Sequence, residues 1–145
     1  NTAANLPPNC KVLLVEDHEE SRDFMERVLT RRANINFRSV DSVDAALAQV
    51  NLDPPDLIIT DLNLPGRNGE DLVKYINAHQ HHNNIPVVVT SIDAADERKK
   101  HLEELGASAY FLKPLQIKNF LDTVSRLCHN VNRHDVNHED VNRHE

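Results

Sequence analysis

The sequence predicts an α/β protein, five β-strands alternating with five helices, the strands forming one open parallel sheet. Five short apolar runs rich in β-branched residues recur along the chain: KVLLVED (11–17), INFRSVD (35–41), DLIITDL (56–62), IPVVVTS (85–91) and AYFLKP (109–114). Continuous rather than alternating apolar runs suit strands buried on both faces. Each is followed by a segment of helical periodicity. Strict alternation of this kind implies right-handed crossovers and helices covering both faces of the sheet.

The helices follow in order. Phe24, Met25, Val28 and Leu29 form the first apolar stripe, and Val43, Ala46, Leu47 and Val50 the second. Leu72, Val73 and Ile76 make the third. Leu102 and Leu105 mark a fourth within the charged run DERKKHLEE, and Ile117, Phe120, Leu121, Val124 and Cys128 mark the fifth. Pro54-Pro55 stops the second helix, Gly106 the fourth, and Pro114 precedes the fifth. Residues 1–10 read as an N-terminal extension and 11–128 as the domain. Beyond it, residues 129–145 hold three near-copies of a pentad, VNRHD, VNHED and VNRHE. A five-residue valine period fits neither helix nor strand, so this segment reads as a solvated polar tail. A fraying continuation of the last helix is the competing reading. The spacing of its His129, His134, His138 and His144 matches no closed metal site.

A chain of 145 residues suits one domain. Its 23 acids against 16 bases give a net charge of −7, unlike the basic footprint of nucleic-acid or membrane-surface binding. A protein partner is expected instead. Cys10 and Cys128 lie near opposite ends without metal-ligand spacing, so two free thiols in a reducing, cytoplasmic setting are expected, a disulfide between the two ends being the unsupported alternative. No apolar run approaches the roughly 20 residues that span a bilayer.

In open parallel sheets the ligand site lies beyond the carboxyl ends of the strands. The first strand ends in Glu16-Asp17, the third in Asp61, the fourth in Thr90-Ser91 and the fifth in Lys113-Pro114. Three carboxylates gathered there repel one another unless a cation compensates. Mg²⁺ takes oxygen ligands and is commonly held by one or two carboxylates plus phosphate oxygens, so Glu16, Asp17 and Asp61 are suitable ligands. Lys113 adds a point charge for a phosphoryl group, and a hydroxyl of the fourth strand could donate to it. Three glycines build no phosphate-cradling loop, so the pattern points to phosphoryl chemistry without nucleotide. A carboxylate beside a metal can itself be the nucleophile.

Taken together, VEDH (15–18), DLNLPGRNG (61–69), VVVTS (87–91) and GASAYFLKP (106–114) resemble the receiver domain of two-component response regulators, in order and at matching separations over residues 11–128. The nearest likeness is to stand-alone receivers of the chemotaxis type. The resemblance implies a flavodoxin-like (βα)5 doubly wound parallel sheet with strand order 2-1-3-4-5. It implies that Asp61 is the phosphoacceptor, that Asp17 and Asp61 bind Mg²⁺ with the backbone carbonyl of Asn63, and that Glu16 acts mainly through metal-bound water. Lys113 would contact the phosphoryl group, with Lys113-Pro114 cis. The switch pair maps to Ser91 and Tyr110. Thr90 is the alternative to Ser91, but Ser91 lies thirty residues after Asp61 and twenty-two before Lys113, which keeps the pattern gapless. Adjacent strand residues face opposite ways, so only one of the two hydroxyls can serve.

The resemblance further implies a histidine kinase or histidine phosphotransfer protein as phosphodonor. Output would come from a changed face made by the fourth helix, fifth strand and fifth helix. The downstream protein is unspecified, no nucleic acid or membrane is involved, and the state is monomer or weak dimer. Such a chain is a signalling switch that catalyses only its own phosphoryl transfer and dephosphorylation, with Asp93 at a position that modulates hydrolysis. A receiver-like binding module acting without phosphorylation is the alternative, against which the intact acid set, Ser91 and Lys113 weigh. A phosphohydrolase would need an acid where Asn63 stands. Singly, each site residue has an ordinary reading: Glu16-Asp17 as a helix cap, Asp61 as a turn cap, Lys113 as a surface lysine, Tyr110 as core. His18 reads as a solvent-facing loop residue, with a role at the site as the lesser reading.

Overall fold

A computed structural model describes residues 9–31, 35–79, 82 and 84–128. The tail and most of the N-terminal extension lie outside these residues. Five strands, β1 (Cys10–Val15), β2 (Ile35–Val40), β3 (Leu57–Asp61), β4 (Val87–Ser91) and β5 (Ala109–Leu112), form one sheet in the order β2-β1-β3-β4-β5. All neighbouring pairs are parallel. The connecting helices are α1 (Glu19–Thr30), α2 (Val43–Leu52), α3 (Gly69–Ala78), α4 (Asp96–Leu105) and α5 (117–128). The doubly wound (βα)5 architecture is as the sequence predicts. Among the described residues no helix is long and apolar enough to cross a membrane.

The two faces of the sheet carry separate cores, because successive strand residues point to opposite sides. Leu13 and Val15 of β1, Ile58 of β3 and Val87 and Val89 of β4 pack with Val43, Leu72, Ile76 and Leu102 beneath α2, α3 and α4. Val12 and Leu14, Leu57 and Ile59, and Val88 pack instead with Met25, Leu29, Phe120 and Val124 beneath α1 and α5. Phe120 meets Phe111 of β5 edge to face at 5.4 Å, which seats α5 on the sheet.

Local chemistry sets the helix ends near the strand edge. Ser42 accepts a hydrogen bond from the Ala45 N–H at the start of α2. Asn68 and Asp71 form a reciprocal capping box at the start of α3. Gly106 ends α4 at φ 118°, a left-handed conformation that favours glycine.

Two expectations fail. Phe24 lies 43% exposed rather than in the core stripe of α1, because the stripe is wider than the sheet surface that Met25 and Leu29 already cover. Cys10 and Cys128 are not free thiols but a disulfide, with Cα atoms 5.8 Å apart across 118 residues of sequence. The physical reason is topological: a helix that follows the last parallel strand runs back along the sheet and ends at the edge where β1 begins.

Candidate functional site

The carboxyl ends of the strands collect the residues that carry charge. β1 gives way at once to Glu16, whose N–H donates to the Val40 carbonyl at 3.0 Å while its own carbonyl accepts from Arg22 Nη1 at 2.9 Å. These bonds fix a carboxylate that is only 4% exposed. Asp61 ends β3 and is likewise buried. Between them stands Lys113, its Nζ 3.3 Å from Asp61 Oδ2 and 3.5 Å from Glu16 Oε1. One ammonium thus serves two buried carboxylates, which are not brought to full neutrality by it.

Burial pushes the Asp61 carboxyl above the ordinary aspartate range. Lys113 pulls in the opposite direction, Glu16 reinforces the rise, and the backbone N–H of Asn63 lowers it. An added cation would relieve this site. Asp17 points to the same need, since its Oδ1 is buried and accepts no hydrogen bond, its 3.3 Å contact with His18 Nδ1 falling short of one. The donor set is all oxygen at these three acids, as a hard divalent cation prefers.

The two hydroxyls of β4 part ways. Thr90 lies opposite Asp61 in the sheet register and lines a cleft of about 360 Å³ with Glu16, Phe24, Lys113, Pro114 and Ile117. Ser91 is fully buried on the other face, and its Oγ accepts from the Asp93 N–H at 3.0 Å. The Tyr110 hydroxyl donates to the Asp93 carbonyl at 2.6 Å. Ser91 and Tyr110 therefore meet through one residue, Asp93, whose carboxylate also lies 3.5 Å from Arg98 Nε. Arg98 in turn reaches Glu70 at 3.1 Å, joining α4 to α3. The Lys113-Pro114 peptide is cis. Asn63 is exposed in the loop after β3.

Two features near the site escaped the sequence. His18, expected to face solvent, is largely exposed, yet its Nδ1 lies 3.2 Å from Glu16 Oε2 and 3.3 Å from Asp17 Oδ1. Its place directly after the acid pair was the available signal. Gly69 begins α3 so close to β3 that a Cβ there would stand 2.6 Å from the Asp61 carbonyl oxygen and 3.0 Å from Leu62 Cα. The glycine allows the helix to approach the strand end, a role its sequence context hides.

The comparisons agree with this architecture. The family model described as response regulator receiver domain matches residues 12–125. The chain is 32% identical over 120 residues to the sensory/regulatory protein RpfC of Xanthomonas campestris, covering 81% of this chain but only 16% of that protein. It is 27% identical over 124 residues to the chemotaxis protein CheY-3 of Vibrio cholerae, covering 86% of this chain and 95% of that one. Among solved structures, the signal receiver domain of a histidine kinase from Syntrophus aciditrophicus superposes with a TM-score of 0.78 at 25% identity, over 86% of this chain and 93% of that domain. Sequence and fold together therefore place the chain in the response regulator receiver family of two-component signalling.

Proposed function

We propose that the chain is a phosphorylation-controlled switch in which Asp61 accepts a phosphoryl group from a phosphohistidine of a histidine kinase or phosphotransfer protein. The observation that carries this reading is Lys113 Nζ poised between Asp61 and Glu16 at the strand edge. In the transfer an Asp61 carboxylate oxygen attacks phosphorus, a P–O bond forms, the P–N bond to the donor breaks, and the donor imidazole leaves with its electron pair. Burial leaves the attacking carboxylate poorly hydrated. Lys113 follows the charge that develops on the phosphoryl oxygens.

Mg²⁺, held by Asp17, Asp61 and the Asn63 backbone carbonyl with Glu16 at one remove, supplies charge neutralisation for the phosphoryl group when bound. The orphaned Asp17 Oδ1 and the raised Asp61 carboxyl fit that cation. The cleft bounded by Phe24 and Pro114 gives a donor protein an apolar approach beside Lys113.

Phosphorylation adds about −1.5 to −2 charge. The Ser91 hydroxyl, which accepts from the Asp93 N–H in this form, stands at the last residue of β4 and turns across the strand end to donate to the new oxygens, carrying that loop with it. Tyr110, tied to the Asp93 carbonyl, is repositioned with it. Tyr110 also lines a second depression of about 370 Å³ with Lys99, Leu112 and Asn119, on the face of α4, β5 and α5 where the output partner would bind. The change is a population shift between two forms of one fold. In this reading the protein works as a monomer or weak dimer, with residues 11–128 as the working unit and its dephosphorylation modulated at Asp93.

The test is incorporation of phosphate from acetyl phosphate or phosphoramidate with Mg²⁺, followed by intact mass. One phosphoryl group per chain is expected in the wild type and none in Asp61→Asn. Labelling that persists in Asp61→Asn overturns the assignment.

A further inference from the structure

His18 stands outside the reading above and bears on its cation site. Its Nδ1 is 3.2 Å from Glu16 Oε2 and 3.3 Å from Asp17 Oδ1, and one donor atom from each of the three residues lies within 4.8 Å of the others. Adjacent ligands are about 3.0 Å apart around a six-coordinate ion with bonds of about 2.1 Å, and about 3.4 Å apart around a four-coordinate one. The 3.3 Å between His18 Nδ1 and the direct ligand Asp17 falls between these two edges. The tripeptide is also held in place by its backbone: Glu16 is bonded at both its N–H and its carbonyl, and Glu16 Oε2 accepts the His18 N–H at 3.2 Å. A neutral imidazole with its proton on Nε2, on a ring that is mostly exposed, would leave Nδ1 as a lone-pair donor.

We propose that His18 is a nitrogen ligand of the cation site, making it a mixed nitrogen and oxygen site that favours Mn²⁺, and more strongly Co²⁺ and Zn²⁺, over Mg²⁺. Mg²⁺ gains little from imidazole, whereas first-row transition ions gain progressively along the Irving–Williams order. A histidine that only balanced charge would change the affinity of all divalent ions alike. The inference rests on Glu16 and Asp17 belonging to a cation site.

The test uses the full chain and two measurements. Electron spin-echo modulation of the Mn²⁺-loaded protein reports directly bound ¹⁴N, and calorimetric titration gives affinities for Co²⁺ and Mg²⁺. Nitrogen coupling is expected in the wild type and absent in His18→Ala and His18→Gln. It is also lost in Asp17→Asn, which weakens the acid site while keeping every histidine. His18→Ala should lower Co²⁺ affinity by on the order of tenfold and Mg²⁺ affinity by less than about twofold. Mn²⁺ bound without nitrogen coupling, coupling that persists in His18→Ala, or parallel losses for Co²⁺ and Mg²⁺ each overturn the role of His18 while leaving the acid site intact. A folded wild type that binds none of these ions overturns the acid site and the inference together.

Discussion

The two edges of the sheet handle charge in opposite ways. At the amino ends of the strands Asp53 is met by Lys11 Nζ at 3.0 Å and Arg38 Nη1 at 3.2 Å, and Asp56 accepts the Lys11 backbone N–H at 2.9 Å. The Cys10–Cys128 bridge closes the same edge. At the carboxyl ends Glu16 and Asp61 share one lysine and Asp17 keeps an orphaned oxygen. A hydrogen bond from Lys11 leads the effects that hold Asp53 below the ordinary carboxylate range, while burial lifts Asp61 above it. One edge satisfies its charges, while the other leaves two buried carboxylates to a single ammonium.

The largest effect that could break this contrast comes from the disulfide. Replacing Cys10 and Cys128 together by alanine should lower unfolding free energy by about 3–5 kcal/mol, from the entropy returned to a long open loop. Urea denaturation of the oxidised wild type and the variant checks this. Phosphate uptake by the folded variant should stay unchanged; if it falls, the edges are not independent. Gly69→Ala should act in the reverse sense. The new Cβ meets backbone at Asp61 and Leu62, so a stability loss of about 1–3 kcal/mol is expected. The rate of labelling by acetyl phosphate should fall further than stability does, by about a hundredfold, because the acceptor carbonyl must shift.

The smallest effects are the most diagnostic. Without divalent ions, Asp61→Asn should stabilise the protein at neutral pH by about 1 kcal/mol. The folded Asp61 carboxyl is raised, so it weakens the fold at high pH, and the variant's gain vanishes as pH falls through that raised value to the unfolded 3.8. Asp53→Asn should have the opposite sign. The folded carboxyl is lowered, so its contribution is present above the unfolded 3.8 and is lost as pH falls through the lowered value. The Asp53 effect, at the surface, should fade in high salt. Urea melts of both variants from pH 3 to 7 follow the divergence, and two slopes of like sign would remove the contrast.

Much of this was legible beforehand. Continuous apolar runs such as VVVTS identify strands because a strand buried on both faces tolerates no polar alternation, and the acid, hydroxyl or lysine that ends each run marks the sheet edge. Ser91 was preferred to Thr90 on the spacing of the motifs, strand parity adding only that the two hydroxyls face opposite ways. What was hidden depends on approach in three dimensions. Cys10 and Cys128 carry no local signal across 118 residues. Phe24 satisfies helical periodicity but runs past the sheet it should cover. Nothing in the sequence around Gly69 signals the Asp61 carbonyl that lies against it. His18 was placed in solvent correctly, yet the direction of its Nδ1 follows from the turn at the end of β1, which periodicity does not describe.

The 5.8 Å between the Cα atoms of Cys10 and Cys128 also makes the fold a nearly closed circuit. A polypeptide can enter and leave it at one point on its surface, so the unit can sit within another protein as an insert, much as a bead hangs from a thread, without separating the host's two flanks. The match to 16% of RpfC and 95% of CheY-3 shows the same unit carried in both settings, a short stretch of a long chain and almost the whole of a short one.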